Sequence, residues 1–428
     1  MKNREYQQCV RCVMDTTDPE IKFDERGICN HCTNFLIRRE EVKAMKKSGA
    51  EHLEEIVRKI KSSGKNNKKY DVVLGISGGV DSGYVAYLLK KFGIRTLLVH
   101  MDNGWNSDDA TLNIKNVAKK LGFDYESYVL DWEEFKDIQL AFLKASVVEA
   151  ETPTDIAIQG ALHRIAAKNG IKYIISGGNL ATEGILPRLW HYNAKDTKYF
   201  NYILKTFGTK KARKFPNFGF KTEMYYKLIK GIKIIYLLNY VDYNKADALK
   251  ILTEELGWRN YGGKHHESRF TKFVQSYLLL KKFNLDYRKA TLSSQICAGE
   301  TTREKAIEAL TAPVYKEDDM EREKEYIAKG TLAATAANIS YRSPRQMMRS
   351  VGRVSHISVN CSIVFAMDSA IVLGELPSNT NGKALSISNP SSFIVPIVLP
   401  KAVEVCVPKA TSCNFTSPCC FKTCSKGL

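Results

Sequence analysis

Between Tyr70 and Ser176 short apolar runs alternate with longer amphipathic segments, and this alternation constrains the fold more than any other feature of the chain. Asp71–Ile76 (DVVLGI), Ile94–His100 (IRTLLVH), Tyr125–Leu130 and Lys172–Ser176 read as strands. Asp81–Phe92, Asp108–Leu121 and Asp155–Lys168 read as the helices between them. Strands separated by helices of roughly 10–15 residues predict an α/β fold with a doubly wound parallel sheet. Ligands of such sheets bind at the carboxyl ends of the strands. Those ends carry SGGVDS, HMDNGW and SGGNLATE, so three glycine-rich or polar turns fall on one rim.

Ser77-Gly78-Gly79-Val80-Asp81-Ser82 follows the first strand directly and opens a helix. Two glycines permit positive φ and close backbone approach. The N–H groups from Gly78 to Ser82 then cradle an anion at the helix N-terminus, where the dipole favours negative charge. Ser77 and Ser82 add hydroxyl donors, and a carboxylate at Asp81 suits Mg²⁺ held against phosphates. No lysine follows the last glycine, so this is not the GxxxxGK[ST] loop. An ordinary strand-to-helix turn with a serine or aspartate cap is the plain alternative. His100-Met-Asp-Asn-Gly-Trp105 ends the second strand, where Asp102 is placed to bond a nucleotide hydroxyl or a metal; a simple turn is the alternative. Thr152-Pro-Thr-Asp155 reads chiefly as a helix cap.

Cys9-Val-Arg-Cys12 and Cys29-Asn-His-Cys32 have the CxxC…CxxC spacing of a zinc site. Two thiolates on one tight turn take one side of a tetrahedral ion and the second turn closes the other, so the expected role is structural. Four reduced thiols or an iron–sulfur cluster are the alternatives, and His31 is expected to be a bystander. A polar-rich segment of ~35 residues buries too little to fold without such a staple.

Of 428 residues, 64 are Lys or Arg and 46 Asp or Glu, a net charge of +18 that attracts phosphate-bearing partners. No apolar run approaches the ~18–20 residues of a membrane span. No signal-peptide core follows the first residues, so a cytoplasmic protein without membrane contact is expected. The expected organisation is a four-cysteine zinc knuckle (1–35), a helix and linker (36–69), a nucleotide domain (70–190), a helical region (191–329) and a tail (330–428). Helices are expected at Lys198–Phe207, Tyr225–Tyr240, Lys245–Leu256, Arg269–Phe283 and Arg303–Leu310. The tail differs in kind. From Thr331 it holds nine Lys or Arg, three Asp or Glu, fifteen Ser and six of the eleven Cys. Either a natural third domain or a frame-shifted, non-native translation accounts for it, and mobile structure is expected there.

SGGVDS after an apolar strand resembles the pyrophosphate loop of the PP-loop ATP pyrophosphatases, with their adenine nucleotide alpha hydrolase-like sheet. A narrower resemblance is carried by CVRCVMDTTDPEIKFDERGICNHC, SGGNLATEG, GWRNYGGKHHESRFTKFVQ and KFNLDYRKATLSSQICAGETTREKA. Together these are similar to the N-acetyl sugar amidotransferases of surface-polysaccharide biosynthesis, over about residues 5–328 and not the tail. That resemblance implies ATP, Mg²⁺ and structural Zn²⁺, and a nucleotide-linked N-acetyl sugar whose acetamido oxygen is adenylated and replaced by ammonia. It also implies a separate glutaminase subunit with a cyclase-like barrel partner; Cys297, in SSQICAGE, has no glutaminase-like nucleophile elbow around it.

On this reading Gly177, Gly178 and Asn179 leave room for the α-phosphate and the substrate amide; a simple turn is the alternative. The segment Gly262-Gly-Lys-His-His-Glu267 is dense in ionisable groups, as sites between helices are. Lys264 is assigned to offset phosphate charge, and His265 or Glu267 to take a proton from ammonia; a helix start with solvated side chains is the alternative. Arg288 and Lys289 are assigned to a sugar-nucleotide pyrophosphate, or else to the surface. Residues 205–233 hold nine Lys or Arg against the single acid Glu223, interleaved with aromatics. RNA, an acidic partner or bulk solvent all fit that pattern. Nucleic acid is not expected, because tRNA thiolation calls for catalytic cysteines and none stands between Cys32 and Cys297. A PP-loop enzyme adenylating a tRNA base oxygen is the alternative function.

Overall fold

Five strands, β1 (Val72–Gly75), β2 (Thr96–Asp102), β3 (Asp124–Val129), β4 (Tyr173–Ser176) and β5 (Lys233–Tyr236), form one sheet in the order β3-β2-β1-β4-β5. Every pairing is parallel, with Val72 opposite Thr96 on one side and Tyr173 on the other. The computed structural model describes residues 4–331 except 48, 65–68, 262–265 and 316, so the tail from residue 332 lies outside the described residues.

A strand side chain points to alternate faces, and a parallel sheet covered on both sides needs apolar residues at every position. β1 shows this directly. Val72, Leu74 and Ile76 pack with Val85, Ala86 and Leu89 of α3 (Val80–Lys91). Val73 turns the other way, onto Leu162, Ile165 and Ala166 of α6 (Thr152–Lys168). Between them α4 (Asp108–Leu121) starts on Ser107, whose side chain accepts from Ala110 N, and stops at Gly122 with φ 65°. Helix α5 (Trp132–Ala145) is capped by Asp131 in the same way.

The chain enters through α1 (Asn30–Lys47) and α2 (Gly49–Ser63), and the short α7 (Leu180–Glu183) follows β4. The later half is helical: α8 (Thr197–Phe207), α9 (Phe220–Met224), α10 (Lys245–Leu256), α11 (Arg269–Phe273), α12 (Leu279–Phe283), α13 (Tyr287–Ala298), α14 (Arg303–Thr311) and α15 (Glu317–Thr331). One expected helix, Tyr225–Tyr240, is not there. A π turn over Tyr225–Ile229 ends at Gly231, whose φ of +66° turns the chain, and Lys233–Tyr236 then pairs with β4 as an edge strand. The sheet therefore draws its fifth strand from beyond residue 190. Within the basic run, Lys210 and Lys214 are paired to Glu133 and Asp131 at 2.7 and 2.6 Å, which staples that loop to the start of α5.

Candidate active site

The turns after β1 and β4 meet because their strands are neighbours, at the point where the strand order reverses. Gly177 makes the approach possible: a Cβ there would stand 2.9 Å from the Ser82 amide nitrogen. Gly78 has φ +86° and its backbone rests on α4, with the Ala110 carbonyl 2.5 Å from where a Cβ would be. Inside the loop, Gly79 N donates to Ser77 Oγ (3.2 Å) and Ser77 N to Ser82 Oγ (3.3 Å). Trp258 Nε1, beyond α10, donates to Gly78 O at 3.1 Å and holds the loop from outside.

These turns open into a cavity of about 510 Å³. Ser77, Gly79, Val80, Asp81, Ser82, Gly177, Gly178 and Glu267 all line it, which brings together most of the residues singled out from the sequence. Two carboxylates flank the glycine loop, each held by a tyrosine. Tyr243 OH donates to Asp81 Oδ1, and Thr182 Oγ1 lies 3.5 Å from the other oxygen. On the far side Tyr261 hydrogen-bonds Glu267, whose Oε1 is 3.5 Å from a Cβ built on Gly79. Burial, then the neighbouring carboxylates, push both phenols well above their ordinary range, so both remain donors. Backbone amides at a helix N-terminus beside a fixed carboxylate are the donor set that a Mg²⁺-bound polyphosphate requires, so the residues present fit ATP and Mg²⁺.

Asp155 belongs to the site rather than to a cap. Helix α6 begins on Glu151 with no side-chain cap bond, and Asp155 in its first turn opens onto the cavity. The protein around it, and then the Glu183 carboxylate, push its carboxyl up to about 6. Lys195 and Lys245 supply the cavity's cations, Lys195 sharing its charge with Glu223 at 2.8 Å. Lys195, Lys245 and Tyr243 carry no local motif. Asp155 reads locally as a cap, Tyr261 stands within GWRNYGGKHHESR without a role of its own, and only the rim position of SGGNLATE points to Glu183.

Other expected residues lie elsewhere. Asp102 is not in the lining; it accepts from Gly104 N (2.9 Å) and Asn106 Nδ2 (3.3 Å) and shapes its own turn. Nearby His100 donates from Nδ1 to the Ile76 carbonyl and accepts from Asn106 at Nε2, and burial lowers its pKa, so it is a neutral brace for the rim. Asn179 caps α7, accepting from Thr182 N at 3.0 Å. Lys264 and His265 lie outside the described residues. The assignment of Arg288 and Lys289 to a pyrophosphate is corrected. Arg288 is taken up by Asp286 (2.7 Å) and the Ala312 carbonyl (2.7 Å) at the end of α14, and Lys289 by Asp15 (2.5 Å) of the knuckle, and neither is in the cavity lining.

At the N-cap of α6, Glu151 accepts from Thr271 Oγ1 at 2.6 Å, while its other oxygen is buried without a hydrogen-bond partner. Burial pushes this carboxyl from 4.5 up to about 8. Between those values the folded chain holds a proton that the unfolded chain has lost, so stability falls as pH rises from 4.5 through about 8. Glu151→Gln keeps the acceptor for Thr271 and is expected to flatten that slope in denaturant melts taken across the range. An equal slope in the variant would assign it to another group.

At the other end of the described chain the four knuckle thiols lie within 4.8 Å of one another and are all buried. Cys12 and Cys29 are 3.7 Å apart and Cys9 and Cys32 3.9 Å. Thiolates around one tetrahedral zinc at Zn–S of about 2.3 Å stand about 3.8 Å apart, so the set fits a single ion; an iron–sulfur cubane holds its thiolates wider. His31 is bonded to Asp18 (2.6 Å).

Comparison with known proteins matches residues 52–174 to the NAD synthase family and residues 267–336 to the family described as LPS biosynthesis protein WbpG-like, C-terminal domain. Among curated relatives, a tRNA-specific 2-thiouridylase of Pediococcus pentosaceus is 36% identical over 121 residues, 26% of this chain and 31% of that one. The corresponding protein of Thiobacillus denitrificans is 33% identical over 153 residues, 31% of this chain and 42% of its own. The chain thus spans less than half the length of these relatives. A solved U34-tRNA thiolase from Methanococcus maripaludis, with its [4Fe-4S] cluster, is 18% identical with a TM-score of 0.29, covering 71% of this chain and 89% of that one. PP-loop enzymes use ATP, and the two family matches meet on one cavity: the first contains the glycine loop and the second begins at Glu267. Together the two matches support a PP-loop superfamily protein whose residues 267–336 are similar to the C-terminal domain of the WbpG-like LPS biosynthesis proteins.

Proposed function

We propose that the protein is an ATP-dependent N-acetyl sugar amidotransferase acting in the cytoplasm in surface-polysaccharide biosynthesis. The observation that carries this reading is the entry of Glu267, the first residue of the WbpG-like segment, into the cavity of the glycine loop. An amide oxygen is a poor leaving group as hydroxide. Its attack on the α-phosphorus of ATP expels pyrophosphate and leaves an O-adenylated imidate. Ammonia adds to the imidate carbon, and loss of AMP with a proton gives the acetamidine.

The chain's own residues then have separate tasks. The amides of Gly78 to Ser82 hold phosphate oxygens, and Gly177 and Gly178 leave space at the α-phosphate. Asp81 would hold Mg²⁺, which when bound neutralises phosphate charge. Asp155, with its raised carboxyl, or Glu267 takes a proton from the attacking nitrogen. Lys264 and His265 keep the roles given them from sequence, and a glutaminase with its barrel partner would supply ammonia.

Incubation with ATP, Mg²⁺, ammonium and a panel of nucleotide-linked N-acetyl sugars is expected to release AMP and pyrophosphate only with a true acceptor. The product should carry the mass change of oxygen replaced by NH. Absence of acceptor-dependent AMP across a broad panel would overturn the reading. Asp81→Asn is expected to lower AMP formation at least ~10-fold, and unchanged kinetics would remove Asp81 from the site. The thiouridylase relatives support a second reading, adenylation of a tRNA base. Against it, no cysteine lines the cavity among the described residues. Retention on tRNA at ~0.15 M salt, with tRNA-dependent AMP release, would favour the second reading.

A further inference from the structure

The four-cysteine knuckle is not a detached module. Its cysteines share one apolar core with α13 and the helices around it. Two neighbouring serines of α13, both fully buried, face different clients. Ser293 Oγ accepts from Val13 N, inside the knuckle, at 3.2 Å. Ser294 Oγ accepts from Ile185 N, just past α7, at 2.8 Å. A second contact runs in parallel: Phe35, one turn along α1 from Cys32, lies 2.4 Å from where a Cβ on Gly184 would stand. Helix α7, between these contacts and the cavity, carries Thr182, which reaches Asp81, and Glu183, which lines the wall.

We infer that Ser294 is a positioning residue through which the knuckle fixes α7, so that metal held by the four thiols and nucleotide held in the cavity strengthen each other. This rests on the reading that the cavity takes Mg·ATP. A short helix of four residues has too few internal bonds to hold its own place, and it takes its position from what it is fastened to. Two ligands that bias one element are reciprocal: the factor by which metal improves nucleotide affinity is the factor by which nucleotide improves metal retention.

The experiment uses the full chain with its metal. Ser294→Ala is expected to keep the metal, to weaken Mg·ATP binding about tenfold, and to speed hydrogen exchange at the amides of 182–185. In the wild type, Mg·ATP should slow metal release to a chelator by a similar factor; in the variant it should not. Ser293→Ala, which cuts the knuckle's side of the seat without touching α7, should also abolish that slowing, and it decides the matter if Ser294→Ala does not fold. ATP affinity and exchange at 182–185 in Ser294→Ala equal to wild type, or slowing of metal release in both variants as large as in wild type, would overturn the inference. Exchange at 182–185 in metal-stripped wild type needs neither nucleotide nor acceptor. It should rise if the coupling is real even where no sugar is turned over, and no rise would overturn the coupling whatever the substrate.

Discussion

Gly78→Ala is expected to remove nucleotide binding while leaving the sheet folded. At φ +86° an alanine is strained by about 1–2 kcal/mol. The added Cβ would also stand 2.5 Å from the Ala110 carbonyl oxygen and 2.9 Å from its Cα. Both are backbone atoms of α4, so no rotamer change relieves the contact. The loop cannot rotate away freely either, because the Gly78 carbonyl is fastened to Trp258 Nε1. Displacing it re-aims the amides that would meet phosphate. Strain and displacement together are expected to cost at least about 3 kcal/mol, a loss of ~100-fold or more in ATP affinity by titration calorimetry. Gly79→Ala is the control: its Cβ meets Ser77 Oγ and Tyr261 OH at 3.2 Å, side-chain ends that can give way, so its loss should be much smaller. Equal affinity in Gly78→Ala and wild type would show that phosphate does not sit on this loop.

The second large effect belongs to the knuckle. Metal analysis is expected to find about one zinc per chain, and Cys9→Ala to lose it. Cys9 Sγ lies 3.9 Å from Cys32 Sγ and accepts from Cys29 N at 3.2 Å, so its loss opens both turns together. Structural zinc contributes about 10–16 kcal/mol to the folding of small finger peptides. The other ties to this segment, Val13 N to Ser293 Oγ, Lys289 to Asp15 and Arg303 to the Cys9 and Cys12 carbonyls, all meet the first cysteine turn or the residues just after it, so residues 4–29 should become sensitive to protease while strands β1 to β4 stay protected. Full metal content in Cys9→Ala, or zinc-free wild type with an intact knuckle, would contradict a structural ion.

Much of this protein is legible along the chain. The apolar runs of β1, β2 and β4 announce themselves because a parallel sheet buried on both faces leaves no position for polar residues. The glycine turn is legible because positive φ and close approach exclude other residues at Gly78 and Gly177. Other features stayed hidden for identifiable reasons. Lys233–Tyr236 is too short and too lysine-flanked to look like a strand until β4 offers it a free edge. Arg288 and Lys289 look like anion ligands in isolation, and only the nearness of Asp286 and Asp15 shows that their charge is already used. Asp155 resembles a cap residue because capping is a local pattern, whereas facing a cavity is not.

The sequence by itself determined the parallel sheet, the rim on which its ligands bind, and the four-thiol knuckle, since each follows from short-range periodicity, φ restrictions or ligand spacing. Only the tertiary structure decided which side chains share the cavity. Asp81 with Tyr243, Glu267 with Tyr261, and Asp155 with Glu183 come from elements far apart along the chain. Their meeting depends on how helices pack across the sheet, and that packing leaves no periodic trace in the order of the residues.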